Sequence, residues 1–190
     1  PYFRKLKLDY EFLRNKFGLK KAMTPVKYFR LRPDNFPEIR LSQLADVYHR
    51  HSSLFSDVIK ANDVESIKKL ISGTASHFWR THYTFEKDHS ERNKTTSIAF
   101  IDLLIINTIV PLKFCYLKEQ GREQDETLFE LMKVLPEESN RVVKKFNSLR
   151  PGTAENAFHS QALLHLKKAY CDKNRCLHCS IGLKILQREV

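Results

Sequence analysis

Three of the four cysteines fall in one short stretch, YCDKNRCLHCSIGLKIL, where Cys171, Cys176 and Cys179 are spaced C-x4-C-x2-C. Two thiols with two residues between them are spaced as in zinc knuckles, where a tight turn aims both sulfurs at one tetrahedral ion. A fourth donor would come from Cys115, His159, His165 or His178. The longer spacing is that of the plant-type ferredoxin loop, but that loop takes its last cysteine from further along, and none follows Cys179. Structural zinc on Cys171, Cys176 and Cys179 is the leading expectation, with an iron–sulfur cluster as the alternative. Free thiols closing a helical hairpin, or a redox pair at Cys176 and Cys179, stand beside it. Clustered cysteines do not make a secreted disulfide framework, so a reduced, cytoplasmic setting is expected.

A second stretch, FRLRPDNFPEIRLSQLA, runs from Phe29 to Ala45. Its Pro33-Asp34 followed by Glu38-Ile39-Arg40 has the flavour of a nuclease signature. Helix grammar explains it better: Asn35 suits an N-cap, Pro37 suits the first turn, and Glu38 suits the positive end of the helix dipole. The carboxylates of Asp34 and Glu38 lie astride a helix start, whereas a nuclease core carries its acids on successive strands. No catalytic residue is assigned. P-loop, G-x-G-x-x-G, G-x-S-x-G and H-E-x-x-H patterns are all missing from the sequence.

Charge supplies the remaining functional clue. Lys plus Arg number 33 against 22 Asp plus Glu, a formal net charge of +11 in 190 residues. Such an excess points to a polyanionic partner, DNA or RNA first, although a basic solvated surface is the plainer explanation of any one cluster. Arg30, Arg32 and Arg40 bracket the Pro33 turn, and Lys167, Lys168, Lys173 and Arg175 accompany the cysteines; these are the expected nucleic-acid contacts.

The elements that must hold these residues read as helices. Glycine is scarce, five in all, and apolar residues recur at three and four rather than two. The spacing predicts an all-α, single compact multi-helix domain over 1–190 that ends in a cysteine-rich helical hairpin. Helices are expected at about 2–17, from Pro37, at 53–60, 64–71, 96–110, 112–119, 123–134 and 137–148. A further one is opened by Thr153 and Glu155, and a last one begins near Ile181. Trp79 with Phe78, Tyr83 and Phe85 is expected in the core, base stacking being the alternative. Residues 86–94 read as an exposed polar loop. The apolar run Ile98 to Leu112 reads as a buried helix too short to cross a bilayer, so no membrane partner is expected. The chain begins without Met or a signal peptide and reads as a fragment of something longer.

The segments RLRPDNFPEIRLSQLA, HYTF, LLIINTIVPLKFCY, LPEESN and SQALLHLKKAYCDKNRCLHCSIG together resemble the C-terminal half of a bacterial family, domain of unknown function 2851. The resemblance implies a helical module attached to an N-terminal half bearing PD-(D/E)xK nuclease-like motifs, which this chain lacks. The resemblance carries no characterised activity; together with the charge it gives the leading expectation of a nucleic-acid-associated accessory, non-catalytic alone, with the protein's own N-terminal domain as a further partner. The alternative is a protein-interaction or oligomerisation domain with a structural metal.

Overall fold

The computed structural model describes every residue except 22, 24, 123–125 and 188–190. It is all-α, and the described residues form only isolated antiparallel bridges, Thr74 with Thr95 and His82 with Asp88. Where the sequence reads as one domain, the chain divides into two compact units. Unit 1 is Pro1–Leu54 with Leu70–Ser97, and unit 2 is Phe55–Lys69 with Ile98–Val190.

Unit 1 contains α1 (Tyr2–Phe17), a 3-10 turn at Pro33–Asn35, α2 (Pro37–Arg50) and a second 3-10 turn at His77–Arg80. Helix α1 ends where expected: Gly18 takes a left-handed conformation at φ 60°, and the amides of Gly18 and Leu19 return to the carbonyl of Arg14. None of its residues is buried. It is tied down at its start, where Tyr2 stacks on Phe78 at 4.2 Å and Phe3 meets Phe85 edge-on. The core is Ile39, Ala75 and Trp79, with Tyr2, Phe36, Phe78 and Phe85 around it. Trp79 is therefore a core residue rather than a stacking platform. Gly73 serves close packing, since a Cβ there would lie 2.3 Å from the carbonyl oxygen of Gln43.

The start of α2 differs from its expected grammar. Phe36 occupies the N-cap position with no side-chain cap, and Asn35 instead closes the preceding 3-10 turn. Pro33 and Pro37 both preset φ, so the backbone is organised into turn and helix without a capping side chain.

Unit 2 contains most of α3 (Leu54–Lys60) and of α4 (Val64–Ile71), then α5 (Ile98–Leu104), α6 (Val110–Glu119), α7 (Thr127–Val134), α8 (Arg141–Leu149), α9 (Ala157–Ala169) and α10 (Ser180–Leu186). Asp63 caps α4 by accepting from the Ser66 amide at 2.7 Å, and the Ser66 hydrogen bonds hold its carboxyl below its usual value. Asn140 caps α8 and Asn156 caps α9, in place of the Thr153 and Glu155 opening expected. The expected start of α7, at 123–125, lies outside the described residues.

Helices α5 and α6 are continuous through a π turn at Ile105–Ile109, marked by the Val110 amide bonding the Ile105 carbonyl. The wider turn absorbs Pro111, which lacks the N–H an α-helix would use and would crowd the carbonyl four residues back. The whole helix, Ile98–Glu119, has 22 residues and is long and apolar enough to cross a bilayer by length and composition, unlike the shorter run seen in the sequence. Its Asp102 and Lys113 are buried and engaged within unit 2. Lys113 Nζ donates to the carbonyls of Val58, Ile59 and Ala61, closing the C-terminal end of α3. Ile101, Ile105, Ile106 and Ile109 fill the core with Leu128, Leu131, Met132, Leu135, Val143 and Ala157.

Candidate functional site

Of the residues singled out by type, only part of the arginine group is drawn together. The turn Pro33–Asn35, the first turn of α2 and the segment 92–97 enclose a cleft of about 260 Å³, lined among others by Arg32, Asp34, Asn35, Arg40, Arg92 and Lys94. All of it belongs to unit 1. Arg40, one turn into α2, donates from Nη1 to Gln43 Oε1 at 2.8 Å and from Nη2 to Asn35 Oδ1. Burial pulls its guanidinium down from the usual value, and the neighbouring Asp34 charge opposes that shift. Asn35 thus serves as the acceptor that fixes Arg40. Arg92 reaches Asp34 Oδ2 with Nη2 at 2.6 Å. Arg32 is exposed at the rim and belongs to the same lining. Arg30 takes a left-handed backbone at φ 63°, with its guanidinium 5.0 Å from the centroid of Phe29, and is not a lining residue.

The loop read as exposed contains the most buried cation of unit 1. Lys94 is only 4% exposed. Its Nζ donates to the carbonyls of Trp79 and His82 and to Nε2 of His89, so all three ammonium hydrogens have acceptors. Nε2 of His89 must accept, which places the ring hydrogen on Nδ1, where the carbonyl of Ser90 receives it. Tyr83 lies under the same ammonium at 4.0 Å and stacks on His89 at 3.9 Å. Burial lowers the Lys94 pKa to about 8, with Asp34 acting in the opposite sense. The main-chain carbonyl of Lys94 accepts from Gln43 Nε2 at 3.0 Å, linking this cluster to α2.

Beside the cleft, Tyr28 donates to Glu38, and that hydrogen bond pushes the phenol up to about 12. Glu38 is therefore occupied by a tyrosine and does not line the cleft with Asp34. The nuclease-like pairing of the two carboxylates is not formed.

The second basic group lies in unit 2. Lys167 pairs with Asp172, both at the surface, while Lys168, Lys173 and Arg175 are exposed. Cys171 opens a 3-10 turn at Cys171–Lys173, Cys176 opens another at Cys176–His178, and Cys179 is the N-cap residue of α10. Cys171 and Cys176 are exposed, and Cys179 is half-buried. Among the described residues no group of three or more His, Cys, Asp or Glu side chains is placed to hold a metal ion. Backbone packing sets this segment. Asn174 turns the chain in a left-handed conformation at φ 52°, and Gly182 fits so closely that a Cβ would lie 2.4 Å from the Cys176 carbonyl oxygen.

Arg92, Asn93 and Lys94 carried no signal in the sequence, because a polar loop gives no periodicity and the contacts that join it to Asp34 and Gln43, from Arg92 and from the Lys94 carbonyl, span more than fifty positions.

A basic helical protein with a polar, guanidinium-lined cleft is the class these features define. The chain belongs to the family described as protein of unknown function (DUF2851), whose model matches residues 1–141 and so includes the whole cleft. No curated protein and no solved structure matches it.

Proposed function

We propose that the chain is a nucleic-acid-associated helical module whose unit 1 cleft receives a phosphate group, and that it acts as an accessory to a nuclease rather than as the hydrolase. The observation that carries this reading is the cleft lining: the guanidiniums of Arg32, Arg40 and Arg92 outnumber a single carboxylate, Asp34, among the amides of Asn35, Gln43 and Asn93, while the Lys94 ammonium is engaged by Trp79, His82 and His89. Guanidinium forks match phosphate oxygens in geometry and in charge, and amides can supplement them. The overall charge of +11 would draw a polyanion toward such a site before any specific contact forms. Fluorescence anisotropy with a labelled single strand tests it: binding should weaken with salt by about 0.7 in log–log slope for each phosphate neutralised. Arg92→Ala should lower affinity on the order of tenfold and reduce that slope by about one contact. Binding that ignores salt, or fails at low salt, refutes the reading.

A second reading, a docking module for an acidic protein domain, is favoured by α1. Its Leu6, Tyr10, Leu13 and Phe17 form an exposed stripe flanked by Lys5, Lys7, Arg14 and Lys16, while Leu8 and Phe12 are exposed on its other side. A partner that encloses the helix would cover both faces, as a flat surface would not. Under this reading Leu13→Glu abolishes partner binding and leaves strand binding untouched.

A further inference from the structure

One carboxylate sits inside the cationic cleft, and the way it is held bears on which phosphates can enter. The turn Pro33–Asn35 presents Asp34, whose Oδ2 lies 2.6 Å from Arg92 Nη2. The two side chains are 47% and 53% exposed, and ion pairs so open to water hold weakly. The other oxygen, Oδ1, is buried and has no hydrogen-bond partner among the described residues. An acceptor shut away from water and unpartnered is destabilising, so moving this carboxylate out to solvent recovers part of what its displacement loses. Asp34 is thus an anion already seated among the guanidiniums, and loosely seated.

Resting on the phosphate-binding reading of this cleft, we infer that Asp34 makes it select strand ends carrying a terminal phosphate monoester over internal phosphodiesters. An incoming anion has to take Arg92 from Asp34. A phosphodiester offers one negative charge shared by two oxygens, as the carboxylate does, and the exchange gains little. A terminal phosphate offers about 1.5 to 2 negative charges near neutral pH and three acceptor oxygens, enough to hold Arg92 and to engage Arg32 or Arg40 as well. The cleft, of about 260 Å³, has room for one phosphate group among its guanidiniums.

The test uses the full chain and two labelled single strands of one sequence, one with phosphate at both ends and one with hydroxyl at both. The phosphorylated strand should bind more tightly on the order of tenfold, as two charge-assisted contacts would give, and the preference should shrink as pH falls through about 6. Asp34→Asn should erase most of the preference by tightening the hydroxyl strand, and Asp34→Ser should do the same if the amide disturbs the turn. Glu86→Gln makes the same charge change at an exposed residue that does not line the cleft. An equal loss of preference there would reduce the effect to bulk charge and overturn the inference. Equal affinity of the unmodified protein for the two strands also overturns it while leaving phosphate binding intact, whereas binding of neither strand removes the reading on which it rests.

Discussion

The cleft of unit 1 and the cysteine segment of unit 2 each bring together residues with chemistry, and they are held in opposite ways. Around the cleft, side-chain contacts hold the polar residues in place: Arg40 by Asn35 and Gln43, Lys94 by two carbonyls and a histidine, and Arg92 by Asp34 from 58 positions away. In the cysteine segment the backbone turns are made locally, as in the Cys171–Asn174 and Cys176–Cys179 hydrogen bonds, and the thiols face outward or partly so. Spacing in sequence signals chemistry only where the fold makes the spaced groups meet. Three cysteines within nine residues form no metal-holding group among the described residues, whereas Arg92 meets Asp34 from 58 positions away.

Breaking the first region at its most buried cation should give the largest effect. Lys94→Met leaves the carbonyls of Trp79 and His82 without their donor and should destabilise unit 1 by about 2 to 3 kcal/mol. The effect should depend on pH with a definite sign. A lysine whose folded pKa lies at about 8 binds its proton less readily than in the unfolded chain, near 10.4, so its unfavourable contribution is full below about 8 and is relieved as pH rises toward the unfolded value. The penalty for Lys94→Met should therefore grow by about 1 to 2 kcal/mol between roughly pH 8 and 10. Urea melts of both proteins at several pH values measure it. A constant or shrinking difference would mean that the ammonium is not the buried, proton-poor group described.

A smaller effect should sharpen the same region. Asn35→Ala should cost about 1 kcal/mol through loss of the Arg40 hydrogen bond. Loss of a helix cap would cost a similar amount, so the single variant does not separate the two accounts. The double-mutant cycle with Arg40→Ala does: a pairwise contact gives a coupling of roughly 0.5 to 1 kcal/mol, and a cap gives simple additivity. Strand affinity measured on the same variants shows whether the ordered guanidinium matters for binding.

The helices were largely legible because periodicity and caps are local. Leu6, Tyr10, Leu13 and Phe17 recur at three and four along α1, which keeps the expected bounds 2–17, and α4 starts at Val64 as its expected range does. Asn35 was misread because Pro33 and Pro37 impose the backbone whether or not a cap is present. The long apolar helix was cut short because Pro111 reads as a break, and only the π turn before it shows how the proline is accommodated. Of the cleft, Arg32 and Arg40 could be named from the sequence, as residues beside a turn. Arg92, Asn93 and Lys94 could not, since nothing local ties them to α2. The division into two units was equally hidden, because unit 1 is assembled from two stretches separated by part of unit 2.

The smallest expected effect belongs to the cysteine segment, and it decides whether the contrast between the two regions holds in solution. With exposed thiols and no metal-holding group among the described residues, Cys171→Ser and Cys176→Ser should each change stability by no more than about 0.5 kcal/mol, as surface substitutions do. Cys179, half-buried at the start of α10, should be the slowest of the three to react with a thiol reagent, because only the accessible thiolate attacks. Zinc gives the sharper measurement. If the two 3-10 turns keep their arrangement, adding zinc to the reduced protein should leave both alkylation rates and the melting temperature unchanged. If zinc protects all three thiols and raises the melting temperature, the turns rearrange to bring the sulfurs together, since binding that draws on a folded site appears directly as stability. The spacing C-x4-C-x2-C would then describe a site that metal itself assembles, and the second region would resemble the first in being fixed by its contacts.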